Sequence, residues 1–392
     1  MNKVLKVYHF HNGTGGGVLS VIRNLLFYKQ HDMIENHVIY TINKEKTPAF
    51  TLPQLFGASS EQIFYYSPKW NFYYTCQQLA KLLPDDKAVI VAHDWLELGM
   101  VSNLGLQNPL VQVLHGDFDY YYLLAINHYQ AVDLYITVSP VIQKTLLAKL
   151  PQASDSIIYW NFPVPYFNKI SINCNIISCL FFVVDLKDER KNFLLLPSLD
   201  SRLNSMGIKV KWHIAGNGYT KDSFLELWSK NSANNVFYHG PIDHAKIQEL
   251  FSVCNLMILP SFAEGFPVSI VESMKAGIVP IVNDWNGATD ELIIHNETGF
   301  KVSNNSIEEY VAIFSKIASN ITILDEMSLN ATELANELFD PIKNTLNFNQ
   351  KLTIASKSDK KKIPLKISGS RLDHPLIPNV LVQAIRSIKN IF

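Results

Sequence analysis

The sequence predicts an α/β protein made of two doubly wound parallel sheets of similar size, one after the other along the chain. Three observations predict it. Short apolar runs rich in β-branched and aromatic residues alternate with longer stretches of helical period, the pattern of parallel strands covered by helices. The 392 residues exceed the roughly 150 that one domain usually takes. Residues 160–168, WNFPVPYFN, carry two prolines and no period, which reads as a linker where one alternating series stops and another begins.

In the first half, strands are expected at 4–8, 37–42, 62–66, 88–92, 109–114 and 134–138. Helices are expected at 17–28, 73–83 and 140–150, with one more on each side of strand 109–114. Pro140 stands where the first turn of a helix has no use for an N–H. In the second half, strands are expected at 178–184, 209–214, 236–238, 256–259 and 279–282, and helices near 192–206, 223–230, 243–254 and 267–275. This divides the chain into an N-terminal domain (1–165), a C-terminal domain (166–340) and a tail (341–392). In the tail, 351–366 is polar and basic, and the amphipathic stretch 377–391 is expected to dock on the body as a helix.

Composition excludes several classes. Lys plus Arg is 34 against 35 Asp plus Glu, a net charge of -1, so the basic excess of a nucleic-acid binder is absent. With 47% hydrophobic residues the chain has ample material for a packed core and is not largely disordered. The longest apolar stretch, 176–184, is nine residues broken by Ser178, whereas a membrane span takes about 20. Residues 1–13 hold Lys6, His9 and His11 and no signal-peptide core, so a cytoplasmic location is expected. Cys76, Cys174, Cys179 and Cys254 show neither disulfide density nor CxxC spacing, and read as small buried or half-buried residues.

Two segments carry chemistry. Asn12 to Val18, NGTGGGV, follows the first strand and opens the first helix, where glycines admit a close ligand and free N–H groups favour an anion. A purely structural glycine turn is the alternative. A dinucleotide fingerprint is excluded, because Val18 stands where a glycine is needed and the second strand ends in Ile42-Asn43-Lys44 without an acid. The second segment runs from Pro260 to Gly277 and reads PSFAEGFPVSIVESMKAG, a strand end, a loop and a short helix. Glu264 on the loop and Glu272 on the helix are eight residues apart and so not on one face. One carboxylate can reach a ligand from the loop and the other from the helix, with the N–H groups of Gly265, Phe266 and Val268 turned to the same ligand. The plainer alternative is a capped amphipathic helix with solvated glutamates.

Taken together, these segments resemble the GT-B glycosyltransferases of the retaining family 4 type. That family's pattern is a strand ending in PS, then EGF(G/P), a helix with a second Glu, and AxGxPV. Pro260-Ser261, Glu264-Gly265-Phe266-Pro267, Glu272, Ala276-Gly277 and Pro280-Ile281 match it. The resemblance covers about residues 1–340 and is stronger in the C-terminal half. It implies two Rossmann-like domains facing a central cleft, acceptor on the N-terminal side and nucleotide sugar on the C-terminal side. A hexose would pass from a nucleotide diphosphate donor to a hydroxyl of a glycan or lipid-linked glycan.

By the same resemblance, Glu264, Lys191 and His115 are the expected catalytic residues. Gly16, Gly17, Arg190, Gly216, Gly240, Gly265, Phe266, Pro267, Val268 and Glu272 are the expected substrate-binding residues. Glu272 would hold the ribose, Glu264 and His115 would face the donor sugar, and Gly16 and Gly17 would lie against the diphosphate and acceptor. His115 also reads as a strand-end residue capping nearby backbone. The family usually carries an Arg where Asp185 stands; Arg190 or Lys187 would then take that role, or the leaving group is less well stabilised. The resemblance implies no metal and no further cofactor, because such enzymes use positive side chains and helix dipoles. His93, Asp94, His115, Asp117 and Asp119 form the alternative metal cluster. Tyr120 to Tyr122 line an acceptor site or simply start a core-facing helix. Lys360 to Lys362 offer a peripheral contact with an anionic membrane, against the alternative of a solvated tail. Two rival functions are a sugar-nucleotide epimerase or phosphorylase of similar architecture and a non-catalytic binding subunit.

Overall fold

A computed structural model of the protein describes residues 4–29, 33–47, 49–84, 87–167, 176–228, 235–285, 287, 289–303, 306–365 and 369–389. The chain forms two compact units, one of Met1–Pro163 with Ile342–Phe392 and one of Val164–Pro341.

The first unit holds seven parallel strands: β1 (Leu5–His11), β2 (Ile34–Asn43), β3 (Ser60–Tyr66), β4 (Val89–Ala92), β5 (Leu110–Leu114), β6 (Leu134–Thr137) and β7 (Ile157–Tyr159). Their order is β3-β2-β1-β4-β5-β6-β7, so the direction of winding reverses between β1 and β4. Ligands bind beyond the carboxyl ends of the strands at such a reversal. The helices are α1 (Gly17–Phe27), α2 (Phe72–Ala80), α3 (Trp95–Leu104), α4 (Asp119–Asn127) and α5 (Pro140–Lys149). Ile22 and Leu26 of α1 pack with Val38, Tyr40 and Ile42 of β2, fixing α1 across the sheet. Asp94 and Glu97 form a capping box that starts α3 just where β4 ends.

The second unit repeats the plan with β8 (Ile177–Asp185), β9 (Val210–Asn217), β10 (Val236–Gly240), β11 (Leu256–Leu259), β12 (Val279–Asn283) and β13 (Phe300–Val302), ordered β10-β9-β8-β11-β12-β13. Its helices are α6 (Leu195–Ser205), α7 (Lys221–Leu225), α8 (His244–Phe251), α9 (Val268–Lys275), α10 (Ile307–Ser319) and α11 (Ile323–Leu338). The reversal falls between β8 and β11, and α9 starts in the loop after β11. Strands β8, β11 and β12 are buried over most of their length, which is why they read as largely apolar runs without alternation.

After the second unit the chain returns to the first as α12 (Pro341–Ala355) and α13 (Asn379–Lys389). The sequence reading missed α12. Its buried face is Asn344, Thr345, Phe348, Asn349, Leu352 and Ala355, half polar, so the apolar period is hidden. Strands β7 and β13 escaped for a different reason, since three residues are too short to show alternation. The expected helices at 223–230 and 377–391 run in part outside the described residues, as does Cys174. Cys76, Cys179 and Cys254 are buried free thiols.

The lysine run is anchored on the first unit. Lys360 Nζ donates to the carbonyls of Tyr129 (2.8 Å) and Val132 (2.7 Å), and Lys362, 5% exposed, pairs with Asp133 at 2.7 Å. Two of the three ammonium groups therefore tie the returning chain to the first unit. No described helix is long and apolar enough to cross a membrane.

Candidate active site

In the second unit, the loop 260–267 is held from two sides. Ser261 O accepts from Trp285 Nε1 (2.7 Å) and Asn283 Nδ2 (2.9 Å), while Tyr310 OH donates to Asn283 Oδ1 (2.7 Å). On the other side Phe262 N donates to Arg190 O at 2.8 Å, which brings in the turn after β8. These anchors put Lys191 beside Glu264, with Nζ to Oε1 at 2.6 Å. Glu264 is 12% exposed at its side chain and Lys191 25%, so the pair is partly withdrawn from water but open on one side.

Gly265 and Phe266 are buried, and Phe266 packs on Phe339 with ring centroids 5.1 Å apart. Pro267 precedes α9, no side chain caps that end, and its first turn holds no acid. The free N–H groups there, from Val268 on, form an electropositive end next to Lys191 and Glu264. Glu272, on α9 behind this end, is 5% exposed. Neither glutamate is solvated, which removes the plainer reading of the segment.

The turn after β8 shows what the acid at 185 does. Asp185 Oδ1 accepts from Lys187 N at 2.9 Å, so the carboxylate closes its own turn. Arg190 forms a two-pronged contact with Asp188 (Nε 3.0 Å, Nη2 2.7 Å) that holds the Asp188 carboxyl below its usual range. Lys187 lies 5.2 Å over the Tyr219 ring. Lys191 reaches the loop of Glu264. Gly216 has φ 151 and a Cβ there would meet Val183 O at 2.7 Å, so its glycine serves close packing of β8 and β9. Gly240 has φ 66 and open space where a Cβ would go.

In the first unit, the ends of β1, β4 and β5 converge. Gly16 caps α1 with φ 118 and Gly17 begins it. His115 is hydrogen-bonded to His93 (Nε2 to Nδ1, 2.8 Å), so it serves another side chain and caps no backbone through that nitrogen. Burial drives both rings neutral, His115 to a pKa of about 3 and His93 well below the usual range. His11 is lowered to about 4, and its Nδ1 accepts from Gly13 N at 3.1 Å. Asp94 accepts from Asn12 Nδ2 (3.1 Å), Trp95 N (2.9 Å) and the Tyr120 hydroxyl, while the Tyr122 hydroxyl donates to Asp117. Among the described residues no three His, Cys, Asp or Glu gather as a metal ligand set. Sequence reasoning overlooked His11 and undervalued Asp94. The available signal was the HDW-x-E pattern, an N-cap and its N3 partner directly after an apolar strand.

Two doubly wound units, the second carrying a glutamate loop and an uncapped helix end, define the GT-B class of architecture. Residues 179–334, within the second unit, match the family described as glycosyl transferases group 1. The chain is 29% identical over 87 residues (22% of it) to a GDP-Man:Man(3)GlcNAc(2)-PP-Dol alpha-1,2-mannosyltransferase of Dictyostelium discoideum, covering 17% of that protein. It is 23% identical over 137 residues (34% of it) to a D-inositol 3-phosphate glycosyltransferase of Streptomyces griseus subsp. griseus, covering 28% of that protein. The matched stretches thus span less than a third of those relatives. Among solved structures, the fold superposes on Anabaena HepE with UDP and glucose (TM-score 0.68, 17% identity, 89% of this chain and 100% of that one). It also superposes on the pneumococcal O-GlcNAc transferase GtfA with UDP and GlcNAc (TM-score 0.71, 9% identity, 90% and 99%).

Proposed function

We propose that the protein is a retaining glycosyltransferase that takes a hexose from a nucleotide diphosphate sugar, held by the second unit, to a hydroxyl of a glycan or lipid-linked glycan. The observation that carries this is the Lys191–Glu264 contact at 2.6 Å beside the uncapped end of α9, with Glu272 buried on the same helix. Each group has a task in such a reaction. As the bond to the anomeric carbon breaks, negative charge grows on the diphosphate, and Lys191 with the N–H groups at Val268 stabilises it. Glu264, released from Lys191 by the incoming phosphate, turns to the donor sugar and stabilises positive charge there. Glu272 takes the ribose hydroxyls. Attack from the face the diphosphate leaves, with a phosphate oxygen accepting the acceptor's proton, keeps the configuration. No group in this scheme is a metal ligand. A lipid-linked acceptor fits the Dictyostelium relative, whose name contains one.

Calorimetry with UDP, GDP and ADP tests the donor half. One nucleotide is expected to bind, and Lys191→Ala and Glu272→Ala should each weaken it at least about tenfold, the loss of one charge-assisted contact. Affinity unchanged in both variants for every nucleotide overturns the assignment. The non-catalytic reading rested on the acid at 185, which the structure occupies within its own turn. It is favoured only by donor binding without turnover on a broad acceptor panel.

A further inference from the structure

Helix α13 is mounted with its polar side inward. An amphipathic helix on a globular body ordinarily buries its apolar face and shows its polar one. Here Asn379 and Arg386 face the body. Asn379 Oδ1 accepts from Asn71 N at 2.8 Å, while Arg386 pairs with Asp373 at 2.7 Å and donates to the carbonyls of Pro68 (3.3 Å) and Trp70. Val382 goes in with them. On the outside, Val380, Ala384 and Ile388 follow one another every four residues, with Leu381 beside them, so they form one row. Leu376, in the turn before the helix, is exposed as well, and Leu376, Val380, Leu381 and Ile388 are each between 52% and 84% exposed. The helix contains no Asp or Glu.

An exposed apolar row of this kind marks a contact surface, and charge identifies what covers it. Residues 341–392 hold ten Lys or Arg against Asp359 and Asp373, a net charge of +8 in a chain whose total is -1. A second copy seated on the row by two-fold symmetry would bring this positive segment against itself. A nucleic acid answers the charge but leaves the apolar row uncovered. An anionic bilayer meets both features, because its acyl region takes the apolar side chains and its head groups take the cations. Aromatic residues of the kind that settle at head-group level stand next to the helix. Trp70, whose carbonyl Arg386 holds, meets Tyr74 edge-on with ring centroids 5.6 Å apart, and the exposed Lys44 lies 4.9 Å over the Trp70 ring.

We infer that α13 is a docking element for an anionic lipid surface, with Leu376, Val380, Leu381 and Ile388 entering the boundary of the acyl region and the positive segment 341–392 holding the head groups. Because Asn379 and Arg386 fix the helix on the first unit, the surface holds the whole chain and not a loose helix. The docking stands apart from the reaction proposed above, but its place in the fold gives it a use there. Phe72 N donates to Asp373 Oδ1 at 2.7 Å, and the Phe72 ring stacks 5.2 Å from Trp95, the first residue of α3 after β4. A docked chain therefore keeps that strand end close to the surface in which a lipid-linked acceptor is anchored.

The test is flotation of the full chain with vesicles of phosphatidylcholine, or of an equal mixture of phosphatidylcholine and phosphatidylglycerol. The wild type is expected to bind the mixed vesicles at least about tenfold more tightly than the neutral ones, and less tightly as salt rises. The double variant Val380→Gln with Ile388→Gln changes two exposed side chains to a good helix former, so its melting temperature should stay that of the wild type. It should bind the mixed vesicles at least about tenfold more weakly. Leu376→Gln, outside the helix, should weaken binding in the same direction, and Lys361→Gln, in the lysine run, should weaken it less than the double variant does. Absence of binding to the mixed vesicles overturns the inference. Binding kept in the double variant also overturns it, and its loss in Lys361→Gln instead would put the contact on the lysine run. A lipid-free dimer in sedimentation velocity that the double variant splits, with no vesicle binding, makes the row an interface between copies and overturns the lipid reading.

Discussion

The most unusual residue is Lys275. It ends α9 wholly buried, and its Nζ donates to Val164 O (2.7 Å) and Phe339 O (2.8 Å) while standing 4.9 Å over the Tyr166 ring. Burial pushes its pKa down from 10.5 to about 7, against the weaker pull of Asp340. The sign follows directly. Between pH 7 and 10.5 the unfolded chain holds the proton more readily than the folded one, so this group makes stability rise with pH across that window. Thermal melts at pH 7, 8.5 and 10 should show the rise, and Lys275→Met should remove it. The variant should also lose about 1–3 kcal/mol at pH 10 in chemical denaturation, because two buried carbonyls lose their donor. A melting profile identical in slope to the wild type refutes the assignment. Glu264 and Glu272 stood out in the sequence because their spacing is tied to a turn and a helix start, and Lys191 stood out only through the family resemblance. Lys275 did not, since a lysine at the end of a helix ordinarily signals a solvated charge.

At the scale of elements, glycines fix how closely strand ends approach. Gly216 sits where β8 and β9 part, with φ 151, and a methyl there would press on Val183 O at 2.7 Å. Gly216→Ala should cost about 1–3 kcal/mol, read as a shift of the denaturation midpoint. A loss below about 0.5 kcal/mol would mean the turn relaxes freely. The same scale explains what the sequence hid. Strands buried on both faces announced themselves, whereas α12 did not, because Asn344, Thr345 and Asn349 share its buried face with Phe348 and Leu352. Asp94 was hidden similarly. Its value lies in the convergence of β1, β4 and α4, which brings Asn12 and Tyr120 to one carboxylate from 82 and 26 positions away.

For the whole molecule, the decisive fact is that the first unit is made from both ends of the chain. Phe348 of α12 packs on Trp160, with ring centroids 4.7 Å apart, and Trp160 Nε1 donates to Asn344 O at 3.0 Å. On the other side α13 is tied in by Arg386, which pairs with Asp373 at 2.7 Å, and by Asn379, whose Oδ1 accepts from Asn71 N at 2.8 Å. A chain ending at residue 340 should therefore fail to fold its first half, exposing Trp160 and losing its blue-shifted fluorescence. Residues 164–341 expressed alone should keep a cooperative melt. A fully folded first half in the shortened chain would contradict this division.

The reading of residues 341–392 as an appendage gives way to a tie that closes the first unit. It also makes the second unit an insertion. Val164 N donates to Phe339 O at 3.2 Å, and Lys275 grips both of those residues at once. A half that leaves and rejoins the chain at one point can be exchanged without rerouting anything else. Under the function proposed above, that exchangeable half is the one that holds the sugar donor, so donor preference would be a cassette replaceable by recombination.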